Sequence, residues 1–220
     1  MATKLKIDYV SDVACPWCAV GLNSLERALQ RTAGAVEADI TFQPFELNPD
    51  MPRAGQNLDQ HIGGKYGATP AQLAEQRRPL RDRAASVGFA FNSSSRSRVY
   101  NTFDAHRLLH WAHLEGRQRE LKHALFKANF SDDLDVSDHE QLVRIAESVG
   151  LDAARARDVL ESGRYAQEVR DAEQLWVSRG ISGVPGIVVN ERWLISGGQP
   201  PEVFEQALRQ IAEEVAGASA

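Results

Sequence analysis

Residues 5 to 10, "LKIDYV", alternate apolar with polar positions, which predicts a short strand with one buried face. The alternation breaks at "SDVACP", and "WCAVGLNSLERALQRT" then takes up helical spacing. Pro16 suits the first turn of that helix, where a missing N–H costs nothing, so the helix is expected to begin just after Cys15. "ADITFQPFEL", 38 to 47, reads as a second strand ending in the turn-forming "NPDMP". Strand, helix and strand in this order make a crossover unit, with parallel strands and a right-handed connection.

From about 58 to 179 the periodicity is helical. Thr69 with Pro70 and Gln72 reads as a capping box, as does Ser137 with Glu140, and Asp152 reads as a further cap. Gly88, Gly150 and Gly180 follow expected helix ends, and "SSSRS", 93 to 97, reads as a loop. Beyond this block, "GIVVN" and "RWLIS" are expected to pair as a hairpin. "QPPEVFEQALRQIAEEVAG" closes the chain as an amphipathic helix with proline at its start. The two ends supply one four-stranded sheet layered between helices, and the middle is an insertion after the second strand, so the fold class is α/β.

Bulk properties narrow the function classes. With 220 residues the chain can bury a substantial core without disulfide staples. Its net charge of −5 gives no broad basic field, which argues against nucleic-acid binding. The N-terminal stretch lacks the apolar run of a secretory signal, and no segment approaches the roughly 20 apolar residues of a membrane span. A cytoplasmic protein without membrane or nucleic-acid partners is expected, and nothing in the pattern specifies an oligomeric state.

Both cysteines of the chain, Cys15 and Cys18, lie in "DVACPWCAVG". In a reducing compartment so close a pair is more often catalytic or metal-binding than structural. At a helix start the unpaired N–H groups and the positive end of the dipole favour thiolate over thiol, which singles out Cys15 as the attacking sulfur. Cys18, one turn further on, is placed to resolve a mixed disulfide, and Trp17 offers an apolar platform beside the sulfurs. A zinc site is the competing reading. It needs four ligands, and no second cysteine pair exists, so His106, His110 and His113, spaced along one helix face, would have to complete it. His61, His123 and His139 have no evident partners in the sequence.

"SDVACPWC", "FQPFELNPDMP", "NTFDAHRL" and "GVPGIVVNERWLISGGQPPEVF" together resemble the DsbA-like thioredoxin-fold oxidoreductases, in particular their FrnE-like branch. The resemblance covers essentially the whole chain. It implies a thioredoxin fold with an all-helical insertion after the second strand, residues 1–50 and 165–220 forming the thioredoxin-like domain and 51–164 the insertion domain. It also implies a cis-proline at Pro185, facing the dithiol, with the Val184 backbone free to pair with an extended substrate. Cys15, Cys18 and Pro185 would then carry the chemistry, and Pro16, Trp17, Val184, Asn101 and His106 would meet the substrate. Ala19 and Gly186 replace bulkier family residues, which predicts a wider groove, while Gly197 and Gly198 read as turn residues with positive φ.

The expected function is thiol-disulfide exchange on protein, peptide or small-thiol disulfides, with glutathione among the candidate partners and no cofactor or metal. Two other classes stay open. One is a glutathione-dependent isomerase of the 2-hydroxychromene-2-carboxylate isomerase type, in which serine often replaces the first cysteine. The other is a zinc-binding or holdase module that uses the pair without turnover.

Overall fold

Strand β1 (Thr3–Ser11) runs past both ends of the alternating stretch, and helix α1 (Pro16–Arg31) follows it after a four-residue turn. The fold is described from a computed structural model over residues 2–67, 69–92 and 97–218, so the expected loop at 93 to 97 lies, apart from Ser97, outside the described residues. Strand β2 (Val36–Pro44) pairs parallel with β1 from Thr3↔Val36 to Ser11↔Pro44. It stops short of the expected 47 because proline brings no N–H to the ladder.

The middle of the chain holds β3 (Gln56–Asn57), α2 (Leu58–Tyr66), α3 (Pro70–Ser86) and β4 (Arg98–Val99). It continues through α4 (Phe103–Leu114), α5 (Gln118–Phe130), α6 (His139–Ser148) and α7 (Ala153–Ser162). Strands β3 and β4 form an antiparallel ribbon two residues long, too short to leave a period in the sequence, so the insertion is helical but for that ribbon. The Thr69–Gln72 capping box and the Asp152 cap form as expected. The box at Ser137 does not. Asp138 caps α6 instead, its carboxylate accepting from Gln141 N–H at 2.9 Å, while the Ser137 hydroxyl turns back to Asp135. A carboxylate is the stronger acceptor, and here it sits at the residue immediately before the first helical turn.

Helix α8 (Ala166–Ser178), strands β5 (Gly186–Val189) and β6 (Trp193–Ser196), and helix α9 (Pro201–Ala218) complete the chain. The sheet order is β2-β1-β5-β6, with β5 antiparallel to both β1 and β6. Period-two alternation divides its side chains between two layers. Ile7, Tyr9, Ile187 and Val189 pack on Leu22 and Leu25 of α1 and on Phe204 and Leu208 of α9. Val10 and Val188 pack on the other side against Trp176 and Ile181. Helices α4 to α7 bury a core of their own around Trp111, Leu121 and Leu142, into which Val13 of the β1–α1 turn inserts. The free edge of β2 is closed by α5: the Gln118 side chain bonds both the N–H and the carbonyl of Phe42 at 2.9 Å. Among the described residues no helix is long and apolar enough to cross a membrane.

Candidate active site

Cys15 is the N-cap of α1, with extended backbone (φ −92°, ψ 111°), and Pro16 opens the helix. Its side chain makes no cap hydrogen bond. The thiol instead donates to the Val184 carbonyl at 3.7 Å, beside the cis Val184–Pro185 peptide bond that the family resemblance implies. Cys18 sits one turn on, its N–H bonded to the Cys15 carbonyl at 3.1 Å and its own carbonyl accepting from the buried Tyr9 hydroxyl at 2.8 Å. Both thiols are free and close together in the core, the Cys15 residue 4% exposed and Cys18 fully buried, so of the two residues only Cys15 reaches the surface. Burial pushes the Cys18 thiol well up and the neighbouring Cys15 adds to this, whereas Lys122 pulls it down.

Three backbone segments meet at van der Waals distance here, and glycines permit it. A Cβ on Gly198 would stand 2.7 Å from the Trp17 carbonyl oxygen, and one on Gly21 would meet the Tyr9 hydroxyl at 2.8 Å and Pro185 at 3.3 Å. Gly197 has the expected positive φ, 80°, but Gly198 is there for close approach. Gly198→Ala is therefore expected to cost about 1–3 kcal/mol in urea unfolding and to slow thiol exchange by shifting the proline loop away from Cys15. Gly21→Ala should cost less, since alanine regains about 1 kcal/mol of helix propensity. A Gly198→Ala protein of unchanged stability would mean that the loop yields freely.

Beneath the pair lies a buried charged group that the motif reading passes over. Asp12 accepts from Ala14 N–H at 3.0 Å, Leu47 N–H at 2.7 Å and the Thr102 hydroxyl at 2.8 Å. His106 Nε2 stands 3.5 Å away. Burial opposes ionisation of Asp12, but the His106 ring and the two backbone donors outweigh it and hold the carboxyl below its usual range. One carboxylate thus ties the β1–α1 turn to the segment after β2 and to the start of α4.

Residues 6–209 match the family model of the DSBA-like thioredoxin domain. The chain belongs to the DsbA-like family. It is 37% identical to a probable DsbA oxidoreductase from Streptomyces coelicolor, with a TM-score of 0.88 over 94% of this chain and 89% of that one. A 2-hydroxychromene-2-carboxylate isomerase is 16% identical with a TM-score of 0.71, covering 98% of this chain and all of the other. The cytosolic disulfide reductase DsbM from Pseudomonas aeruginosa, in a structure with GSH, is 18% identical with a TM-score of 0.63 over 94% and 99%. These last two share the fold. Like its family, this chain is a thiol-disulfide oxidoreductase on a thioredoxin fold.

The other expected residues of this DsbA-like chain distribute unevenly. Pro16 and Val184 are half-buried, Pro185 is buried and Trp17 is 39% exposed, all beside Cys15 along the chain or across the loop. His106 reaches the site through Asp12. Asn101 does not join them: its side chain donates to the Pro49 and Met51 carbonyls and accepts from Phe103 N–H, bracing the turn into α4. Gly186 faces Ile181, 3.3 Å from where its Cβ would be, so a larger side chain there would press on the core. His110 lies against the Tyr165 ring at 5.0 Å, His123 bonds Glu26 at 2.8 Å, and His139 bonds Asp104 at 2.8 Å. His61 bonds Gln56 and Asn48. Among the described residues no three His, Cys, Asp or Glu side chains are grouped to hold a metal ion.

Proposed function

We propose that Cys15 attacks a substrate disulfide and Cys18 resolves the mixed disulfide, with Cys15, Cys18 and Pro185 as the reacting set. The observation that carries this is the exposure order of the two cysteine residues together with the Cys15–Val184 contact. The Val184 N–H has no hydrogen-bond partner among the described residues, and its carbonyl meets only the thiol. A shallow cleft of about 310 Å³ runs along residues 180–186 with Leu194 and Ser196 on its side. Leu194, 52% exposed, and Trp17 supply apolar surface to either side of the proline loop. An extended peptide bearing the disulfide is the substrate this suits, held by backbone bonds at Val184 and apolar contacts at Trp17. Residues 51–164 act as the helical insertion domain, and residues 1–50 with 165–220 as the thioredoxin-like domain.

Glutathione, itself a short peptide thiol, fits the same strip, and the DsbM structure with GSH favours it as the exchanging partner in a cytoplasmic setting. The isomerase reading is weaker, because a chain with Cys15 and Cys18 both present can complete exchange without a bound thiol. Equilibration of the protein with reduced and oxidised glutathione tests both. A reversible two-electron titration between dithiol and Cys15–Cys18 disulfide is expected, with turnover of a peptide disulfide. Binding of glutathione without oxidation of the pair would favour the isomerase.

A further inference from the structure

Hydrogen bonds fasten helix α5 to the thioredoxin layer at β2, at α1 and at the turn between β1 and α1. Gln118 bonds the β2 edge at Phe42, Arg119 and His123 reach Glu26 of α1 at 2.7 and 2.8 Å, and Asn129 Nδ2 donates to the Val13 carbonyl at 3.0 Å. Lys122, on the same helix, is fully buried, but its Nζ has no hydrogen-bond partner among the described residues. It lies 4.8 Å from the centroid of the Phe126 ring, a contact that fixes no register. The bond from Asn129 is the one that ends on the turn leading into Cys15.

The Val13 carbonyl and the Ala14 N–H belong to one peptide unit. Asn129 grips its oxygen end, and the Asp12 carboxylate accepts from its nitrogen end at 3.0 Å. Because the unit is planar, the two bonds together set its orientation. The next unit follows from it, with the Cys15 N–H bonded to the Asp12 carbonyl at 3.2 Å. Packing does not duplicate this constraint. The Val13 side chain is anchored in the α4–α7 core, but a buried side chain leaves the peptide beyond it free to rotate about its own backbone bonds. A hollow of about 50 Å³, lined by Ala14, Asn129, Tyr100 and Phe130 among others, gives that peptide space to turn into.

We propose that Asn129 is a positioning residue for the nucleophile: its bond to Val13 holds the β1–α1 turn so that the Cys15 sulfur stays beside the Val184 carbonyl, where a peptide disulfide docks. The inference rests on the reading of Cys15 as the attacking sulfur. It gives the helical insertion a part in the exchange itself, through a side chain 116 residues along the chain from the carbonyl it holds. Displacing a reacting atom by about 1 Å slows a reaction by as much as about 10²-fold. Without Asn129 the Val13 carbonyl turns to water, and the turn samples orientations in which the sulfur has left Val184. A disulfide held at Val184 then meets the sulfur less often. A small reagent that needs no docking still reaches it as readily.

Two reagents therefore separate position from stability. In a Cys18→Ala background Cys15 is the one remaining thiol. There, Asn129→Ala should form the mixed disulfide with a peptide disulfide about tenfold more slowly, while alkylation by iodoacetamide should not slow. Asn129→His presents an Nδ1–H donor where the amide stood and should recover most of the lost disulfide rate. Val159→Ala, on α7, removes packing from the insertion core without touching a bond of the turn, and should leave both rates unchanged. A parallel loss of both rates in Asn129→Ala, or a disulfide rate equal to that of the parent, overturns the proposal. Should the alanine variant unfold, Asn129→Asp keeps the shape, removes the donor and is expected to show the same split. In the wild type, one Asn129 side-chain amide proton should exchange slowly with solvent, and free exchange of both also overturns the proposal. A parent protein that traps no peptide sinks the dithiol reading itself, which distinguishes the two failures.

Discussion

Replacing Cys15 with serine is expected to abolish thiol exchange, lowering turnover by about 10³-fold or more, because the hydroxyl is far too weak an acid and nucleophile to take the sulfur's part. The loss should appear in a folded protein. Cys15 caps α1 without a side-chain hydrogen bond, and serine is among the best N-cap residues, so the variant should be at least as stable as the wild type in urea. The wild-type chain therefore forgoes about 1 kcal/mol of capping at this position in keeping a thiol. Cys18→Ala should behave differently. It retains the attacking sulfur and loses the resolving one, so mixed disulfides should accumulate through Cys15 and be visible as adducts by mass spectrometry. Equal trapping by Cys15→Ala and Cys18→Ala would reverse or dissolve the assigned order, and with it the reading of the exposure difference between the two cysteines.

Asp12→Ala is expected to cost about 3 kcal/mol or more, roughly 6–12 °C in Tm for a chain of this size, because it strands the partly buried N–H groups of Ala14 and Leu47 and the buried Thr102 hydroxyl at once. Asp12→Asn should cost less, since its single carbonyl oxygen still satisfies part of the set. The two variants also give the pH dependence its sign. The folded Asp12 carboxyl ionises below its usual range, so its contribution to stability is present above the ordinary carboxylate pKa of about 3.9. That contribution is lost as pH falls through the folded value. The stability gap between wild type and Asp12→Asn should accordingly be full at pH 7 and shrink in acid, measured by urea unfolding across that range. A gap that widens on acidification would show that Asp12 is protonated in the native protein.

These two residues mark the limits of what local pattern conveys. The position of Cys15 was legible because it depends on neighbours: a strand ends, Pro16 can open a helix, and Cys18 falls one turn later. The cis bond before Pro185 was implied by the family resemblance rather than by the local residues, and it is present. The hairpin and the closing helix appear where alternation and amphipathic spacing put them. Asn101 was assigned to the substrate on the strength of its motif, but its hydrogen bonds hold a turn, a role that motif matching does not separate from binding.

Lys122 carried a signal that went unused. It stands on the same face of α5 as Gln118 and Phe126, four residues to either side, next to Leu121 and Leu125 on the apolar stripe. Spacing thus turns its side chain inward. What it meets there is another matter, because Asp12, the two cysteines and the α4 histidines come from segments separated by many residues and are joined only when α5 docks on β2 and α1. Sequence by itself determined the elements, their order and the dithiol at the head of α1, since these follow from steric and hydrogen-bonding preferences within a few residues. Tertiary structure alone decided which sulfur is covered, which carboxylate is buried and which lysine loses its water, because burial is a property of packing between distant segments, and desolvation rather than residue type sets the chemistry of a buried charge.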